Sequence, residues 1–115
     1  MRSHSVGVNL VANTKTTLFT VPTRNMALWK MLYAFNNTSS AKTFSCWWYD
    51  KSENVEVAIA SGYPLSSKNY FLLDGNAYVV LDEGDEIRAI SEAGATTTIV
   101  ITVELDARST VQNFA

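Results

Sequence analysis

Between Val6 and Leu105 the chain keeps returning to one pattern: a short run rich in Val, Ile, Thr and aromatics, then a polar turn. In a strand successive side chains point to opposite faces, so apolar residues at every second position mark a half-buried strand. Val6, Val8 and Leu10 alternate in this way, and residues 17–21 end at Pro22, which cannot donate to a strand ladder. Residues 26–35 form a longer run. One expected face carries Ala27, Trp29, Met31, Tyr33 and Phe35, and the other Met26, Leu28, Lys30, Leu32 and Ala34. Both are mainly apolar, which predicts a strand that is central or covered on both sides. Residues 43–50 and 55–59 follow, the second broken by Ser61-Gly62-Tyr63-Pro64. Residues 70–73 and 77–81 then read as two strands around a tight Asp74-Gly75-Asn76 turn. Residues 86–91 and 96–105 close the series. About eight short strands at regular spacing predict an all-β fold, an antiparallel β-sandwich or jelly roll.

Size agrees with this reading. A chain of 115 residues and 12.7 kDa makes one domain, expected over residues 1–106, with residues 107–115 as a C-terminal tail or arm. Surface scaling gives roughly 6,200 Å² folded against roughly 18,000 Å² unfolded, enough burial for a real core. Within the tail, Val111 and Phe114 are candidate anchors for a neighbouring subunit; fraying is the alternative. The net charge of −2 argues against broad affinity for nucleic acid or an anionic membrane. No apolar stretch approaches the ~20 residues needed to cross a bilayer. Residues 1–7 have no apolar signal core, so the overlapping sequons at Asn36-Asn37-Thr38-Ser39 read as a turn, made in a cytoplasm.

Reactive groups are few. Catalysis by a nucleophile needs a base within hydrogen-bond reach. The one histidine, His4, falls in an expected mobile leader, and the one cysteine, Cys46, in an apolar strand. An enzyme is therefore not expected, nor a cofactor or a zinc site. Asp82-Glu83-Gly84-Asp85-Glu86 is the densest set of hard oxygens; a solvated turn is the expected reading and a calcium site the alternative. The aromatics offer more. Trp47 and Trp48 are adjacent, so a strand must point them to opposite faces. One fills the core; the other meets solvent, a second layer or a partner. Trp47, Trp48 and Tyr63 are thus the interface candidates beside Val111 and Phe114. An outward tryptophan would also suit a carbohydrate-binding module.

The run Asn9-Leu10-Val11-Ala12-Asn13-Thr14-Lys15-Thr16-Thr17-Leu18-Phe19-Thr20-Val21-Pro22 resembles the opening of small virion proteins of tailed bacteriophages. An Asn36-Asn37-Thr38-Ser39-Ser40 loop, Pro64-Leu65, Leu73-Asp74, residues 81–87 and residues 98–104 match the same layout. The resemblance spans residues 8–105 and rests on turns and strand patterning. The aromatic run Trp47-Trp48-Tyr49 and the C-terminal tail depart from it. It implies a β-sandwich without catalytic residues that decorates the capsid or joins parts of the tail. The expectation is a decoration or cement protein located in the virion, bound to the major capsid protein or other virion proteins. Self-association is expected too, with trimers on local threefold axes as one form. A tail or head–tail adaptor is the alternative.

Overall fold

A computed structural model describes residues 2–74 and 79–107. Nine strands appear among them, and no helix: β1 (Arg2–Leu10), β2 (Thr16–Thr20), β3 (Asn25–Asn36), β4 (Lys42–Asp50), β5 (Val55–Leu65), β6 (Tyr70–Leu73), β7 (Val79–Leu81), β8 (Glu86–Ser91) and β9 (Thr97–Ala107). All pairings are antiparallel. One sheet runs β1-β9-β3-β6, with β7 also on β3; the other runs β2-β8-β4-β5. The pairings nest. The first strand lies against the last, β2 against β8, β3 against β6 and β7, and β4 against β5. A long antiparallel ribbon folded over on itself in this way is a jelly roll. With β6 and β7 counted as one interrupted strand, it has eight members.

The core lies between the two sheets and is built by alternation. Along β9 every second residue from Thr97 to Leu105 is buried, and along β8 Ile87, Ala89 and Ser91 are. Trp29 and Phe44 are the largest fully buried side chains, with Leu32, Leu81, Ile99 and Ile101 around them. Buried Asn36 closes one end. Its amide nitrogen donates to the carbonyls of Ser40, Leu65 and Ser66, and its oxygen accepts from the Thr38 N–H. This ties the loop after β3 to the chain leaving β5 at one end of the sandwich. The sequon asparagine is thus a structural bracket.

Four local expectations are corrected. In β3 the register against β9 slips between Trp29 and Met31. The extra residue flips the alternation, so the buried set is Ala27 and Trp29, then Leu32, Ala34 and Asn36. Strand β5 does not stop at Ser61-Gly62-Tyr63-Pro64. It absorbs them through a bulge, Gly62 taking φ +60°, with the Gly62 N–H bonded to Ser45 Oγ at 2.8 Å. Pro64 is tolerated because β5 is an edge strand. Strands β6 and β7 are not a hairpin. Leu73 lies opposite Leu32 and Val79 opposite Trp29, so both run in line along the same side of β3. Gly75 and Asn76 of the expected turn lie outside the described residues. Finally, β1 starts at Arg2, placing His4 in register with Val103 and its ring 6.1 Å from Phe19, not in a loose leader.

Candidate interaction surface

Register settles the tryptophan pair. Phe44 and Cys46 are buried on the inner face of β4, so Trp48 shares that face and packs at the edge of the core. Trp47 is outward, opposite Arg88, with Tyr49 opposite Glu86. Neither outer ring is bare. Lys15 Nζ sits 4.1 Å from the Trp47 ring centre, and the Arg88 guanidinium 4.0 Å from that of Tyr49. Glu56 joins these cations, at 2.8 Å from Lys15 Nζ and 3.0 Å from Arg88, while Glu86 holds the Arg88 Nε at 2.8 Å. The hydrogen bond from Lys15, with help from Arg88, outweighs burial and holds the Glu56 carboxyl below its usual range. For Arg88, burial pulls the other way, but its bonds to Glu86 and Glu56 raise it. This outer face is a closed ionic lattice laid over two aromatic rings.

The acidic turn is not merely solvated. Asp85 is 2 % exposed, and its carboxylate accepts from the Trp48 indole N–H at 3.1 Å, the Lys51 N–H at 3.1 Å and the Asp82 N–H at 3.0 Å. Three donors occupy oxygens that a cation would need. Glu83 accepts from the Arg24 N–H, and Glu86 is committed to Arg88 and Thr17. Among the described residues no three His, Cys, Asp or Glu side chains gather as a metal site. Cys46 is buried, and burial pushes its thiol up to about 12, so it is a poor nucleophile. Among the described residues no helix is long and apolar enough to cross a membrane.

The feature without an internal explanation is apolar surface. Seven large hydrophobic side chains are exposed among the described residues, and six belong to β5, β6 and β7. These are Val55, Val57, Tyr63, Tyr70, Leu72 and Val80, each between 38 and 53 % exposed; only Val11 lies elsewhere. Strands β5 and β6 are the edges of different sheets, brought together along one flank, where Tyr63 meets Phe71 edge-on at 4.8 Å and Phe71 meets Phe44 at 5.9 Å. Round the edge, on the outer face of the first sheet, Tyr70 meets Tyr33 at 5.5 Å. Phe35 stands beside Tyr70 and Tyr33 beside Leu72, all on the side of β3 that no other layer covers among the described residues. Exposed apolar side chains scattered singly are ordinary; six concentrated on two neighbouring edge regions, with aromatic contacts linking Tyr63, Phe71 and Phe44 and linking Tyr70 to Tyr33, make this flank the candidate binding surface.

Of the interface candidates legible in the sequence, Tyr63 is the one that joins this cluster. Trp47 and Trp48 lie elsewhere on β4, and Val111 and Phe114 lie outside the described residues. Val55, Val57, Tyr70, Leu72 and Val80 escaped sequence reasoning. Their signal was apolar residues at 70, 72 and 80 in the outward phase of their strands, legible only once pairing fixes which phase is outward.

The class defined so far is a jelly-roll β-sandwich with a one-sided apolar flank and a chemically quiet interior. No protein-family model and no curated protein matches the chain.

Proposed function

We propose that this protein is a non-enzymatic structural component of a virion, most directly a capsid decoration or cement protein. The observation that carries the reading is the gathering of six exposed apolar side chains along the β5/β6–β7 flank of a rigid sandwich. Such a surface is adhesive: burying apolar area on a partner yields roughly 25 cal/mol per Å², and aromatics such as Tyr63 and Tyr70 concentrate binding energy. A protein that binds only the assembled shell stabilises it by mass action. The resemblance of residues 8–105 to small tailed-phage virion proteins is what suggests a particle as the partner, and the buried Cys46 and committed Asp85 fit a chain that does no chemistry. A tail or head–tail adaptor would use the same flank in fewer copies. Sugar stacking through Trp47 would have to displace Lys15 from its ring.

Quantitative mass spectrometry of purified virus particles from a source encoding this chain tests the reading. Abundance near that of the major capsid protein is expected. Low abundance would move the protein to the tail or neck, and absence from particles would overturn the virion reading.

A further inference from the structure

We infer that the free edge of β1 pairs antiparallel with β1 of a second copy of this chain, about a two-fold axis at Val6, so that two first sheets become one. The inference goes beyond the virion reading and does not rest on it.

An open strand edge offers a row of unpaired N–H and C=O groups, and proteins ordinarily blunt it by shortness, bulges, proline or charge. Three of the four edges here are blunted. Strand β2 has five residues and a register shift between Thr17 and Phe19. Strand β5 carries two register shifts against β4, with Gly62 and Pro64 in its second half. The edge formed by β6 and β7 is divided between pieces of four and three residues. Strand β1 has none of these devices. Its nine residues hold an unbroken register with β9, from Arg2 opposite Leu105 to Leu10 opposite Thr97. It contains no proline, and Arg2 is its only lysine, arginine or carboxylate side chain. Among the described residues β1 pairs with β9 alone, and no turn or loop backbone bonds to residues 2–10.

The fit of this strand to itself selects the occupant. In a continuous sheet opposed residues share a face, so a symmetric antiparallel pair is centred on a residue. Centring on Val6 overlaps all nine positions. On the inner side Val6 meets Val6 of the second copy, His4 meets its Val8 and Arg2 its Leu10. On the outer side Ser5 meets Gly7 and Ser3 meets Asn9. Val6 and Val8 are half-buried at the rim of the core, and the added strand gives them β-branched and apolar neighbours. No like charges oppose one another, because the two Arg2 side chains start about 27 Å apart, well beyond the ~8 Å screening length. Ser5 and Asn9 are already bonded across to Thr102 and Thr98, so pairing in the plane of the sheet strands no side-chain group. Nine paired residues add about nine main-chain hydrogen bonds. The axis is isologous, one edge serving both copies. The flank bearing Val57 and Tyr63 lies at the far side of the sandwich and stays open on each.

Sedimentation equilibrium of the purified chain tests the assignment. The expected result is a species of twice the 12.7 kDa chain mass. Ser5→Lys combined with Gly7→Lys sets lysine opposite lysine twice in the pair. Both positions are exposed, and a Cβ at Gly7 would meet only the Ile99 carbonyl, at 4.0 Å. This variant should raise the dissociation constant about tenfold or more with far-UV circular dichroism unchanged. Ser5→Glu combined with Gly7→Lys sets opposite charges face to face and should return it to within about threefold of wild type. Ser3→Lys with Asn9→Lys, the other outer pair, replaces the first variant should that one disturb folding. A monomer at about 100 μM, a mass of three chains, or a dimer on which the like-charge and opposite-charge variants act alike would overturn the assignment. So would a monomer whose β1 amides slow their hydrogen exchange only when particles are added, which would give the edge to a foreign strand.

Discussion

At Asp85 one carboxylate accepts three N–H donors and fastens the β7–β8 turn to β4. Charge-assisted bonds of this kind exceed ordinary ones, and three part-buried donors would lose their partner without them. Asp85→Ala should therefore lower the urea-unfolding free energy by more than about 2 kcal/mol, since buried unsatisfied donors cost about 1–3 kcal/mol each. A change under half that would mean that water replaces the carboxylate. Cys46 gives a second prediction. Its thiol is raised from 9.0 to about 12 by burial, so the folded state holds the proton more tightly than the unfolded chain. The stability this confers is complete below about pH 9 and is lost as pH rises from there toward 12. At pH 8 a thiol reagent should leave the native protein unlabelled and label it in denaturant; rapid native labelling would contradict the burial. At this scale the sequence separates residue kinds better than residue roles. That Trp47 and Trp48 face opposite ways follows from strand geometry alone. Which one is outward depends on Phe44 and Cys46 being the inner set, and that is fixed by pairing with β8.

Among the elements, β5 shows why local punctuation misleads. Gly62 and Pro64 read as a stop, yet an edge strand can place a glycine in a bulge and face proline to solvent. Gly62 has open space around it but φ +60°, so Gly62→Val should cost about 1–2 kcal/mol through backbone strain alone, measured by thermal unfolding. An unchanged melting temperature would mean that the bulge relaxes. Strands β6 and β7 mislead differently. An Asp-Gly turn between two apolar runs has the local signature of a hairpin, but β3 is long enough to pair with both runs end to end. The ionic lattice links β2, β4, β5 and β8, and Glu56 is its depressed group. Depression means that its contribution is present above the ordinary carboxylate value of 4.5 and is lost as pH falls through the lower folded value. Below pH 4.5 the melting temperature should fall more steeply for wild type than for Glu56→Gln. The difference should be under about 1 kcal/mol, because these side chains keep access to solvent. Parallel curves would show that the lattice adds nothing.

For the whole molecule, the sandwich class was legible because alternation is clean in strands such as β8 and β9 and is interrupted only locally, by bulges, in β3 and β5. The nesting of first strand with last was not, since it is decided by contacts across the length of the chain. The apolar flank was half legible: the two apolar faces of residues 26–35 signalled a cover that the chain does not supply to the outer one among the described residues. The central claim is that the flank adheres to an assembled particle. Co-sedimentation of purified chain with particles lacking it measures this most directly. Wild type should pellet with the particles, and a Val57→Lys, Tyr63→Ser double variant with an unchanged circular dichroism spectrum should stay in the supernatant. Equal pelleting of both, or pelleting of neither, would contradict the account.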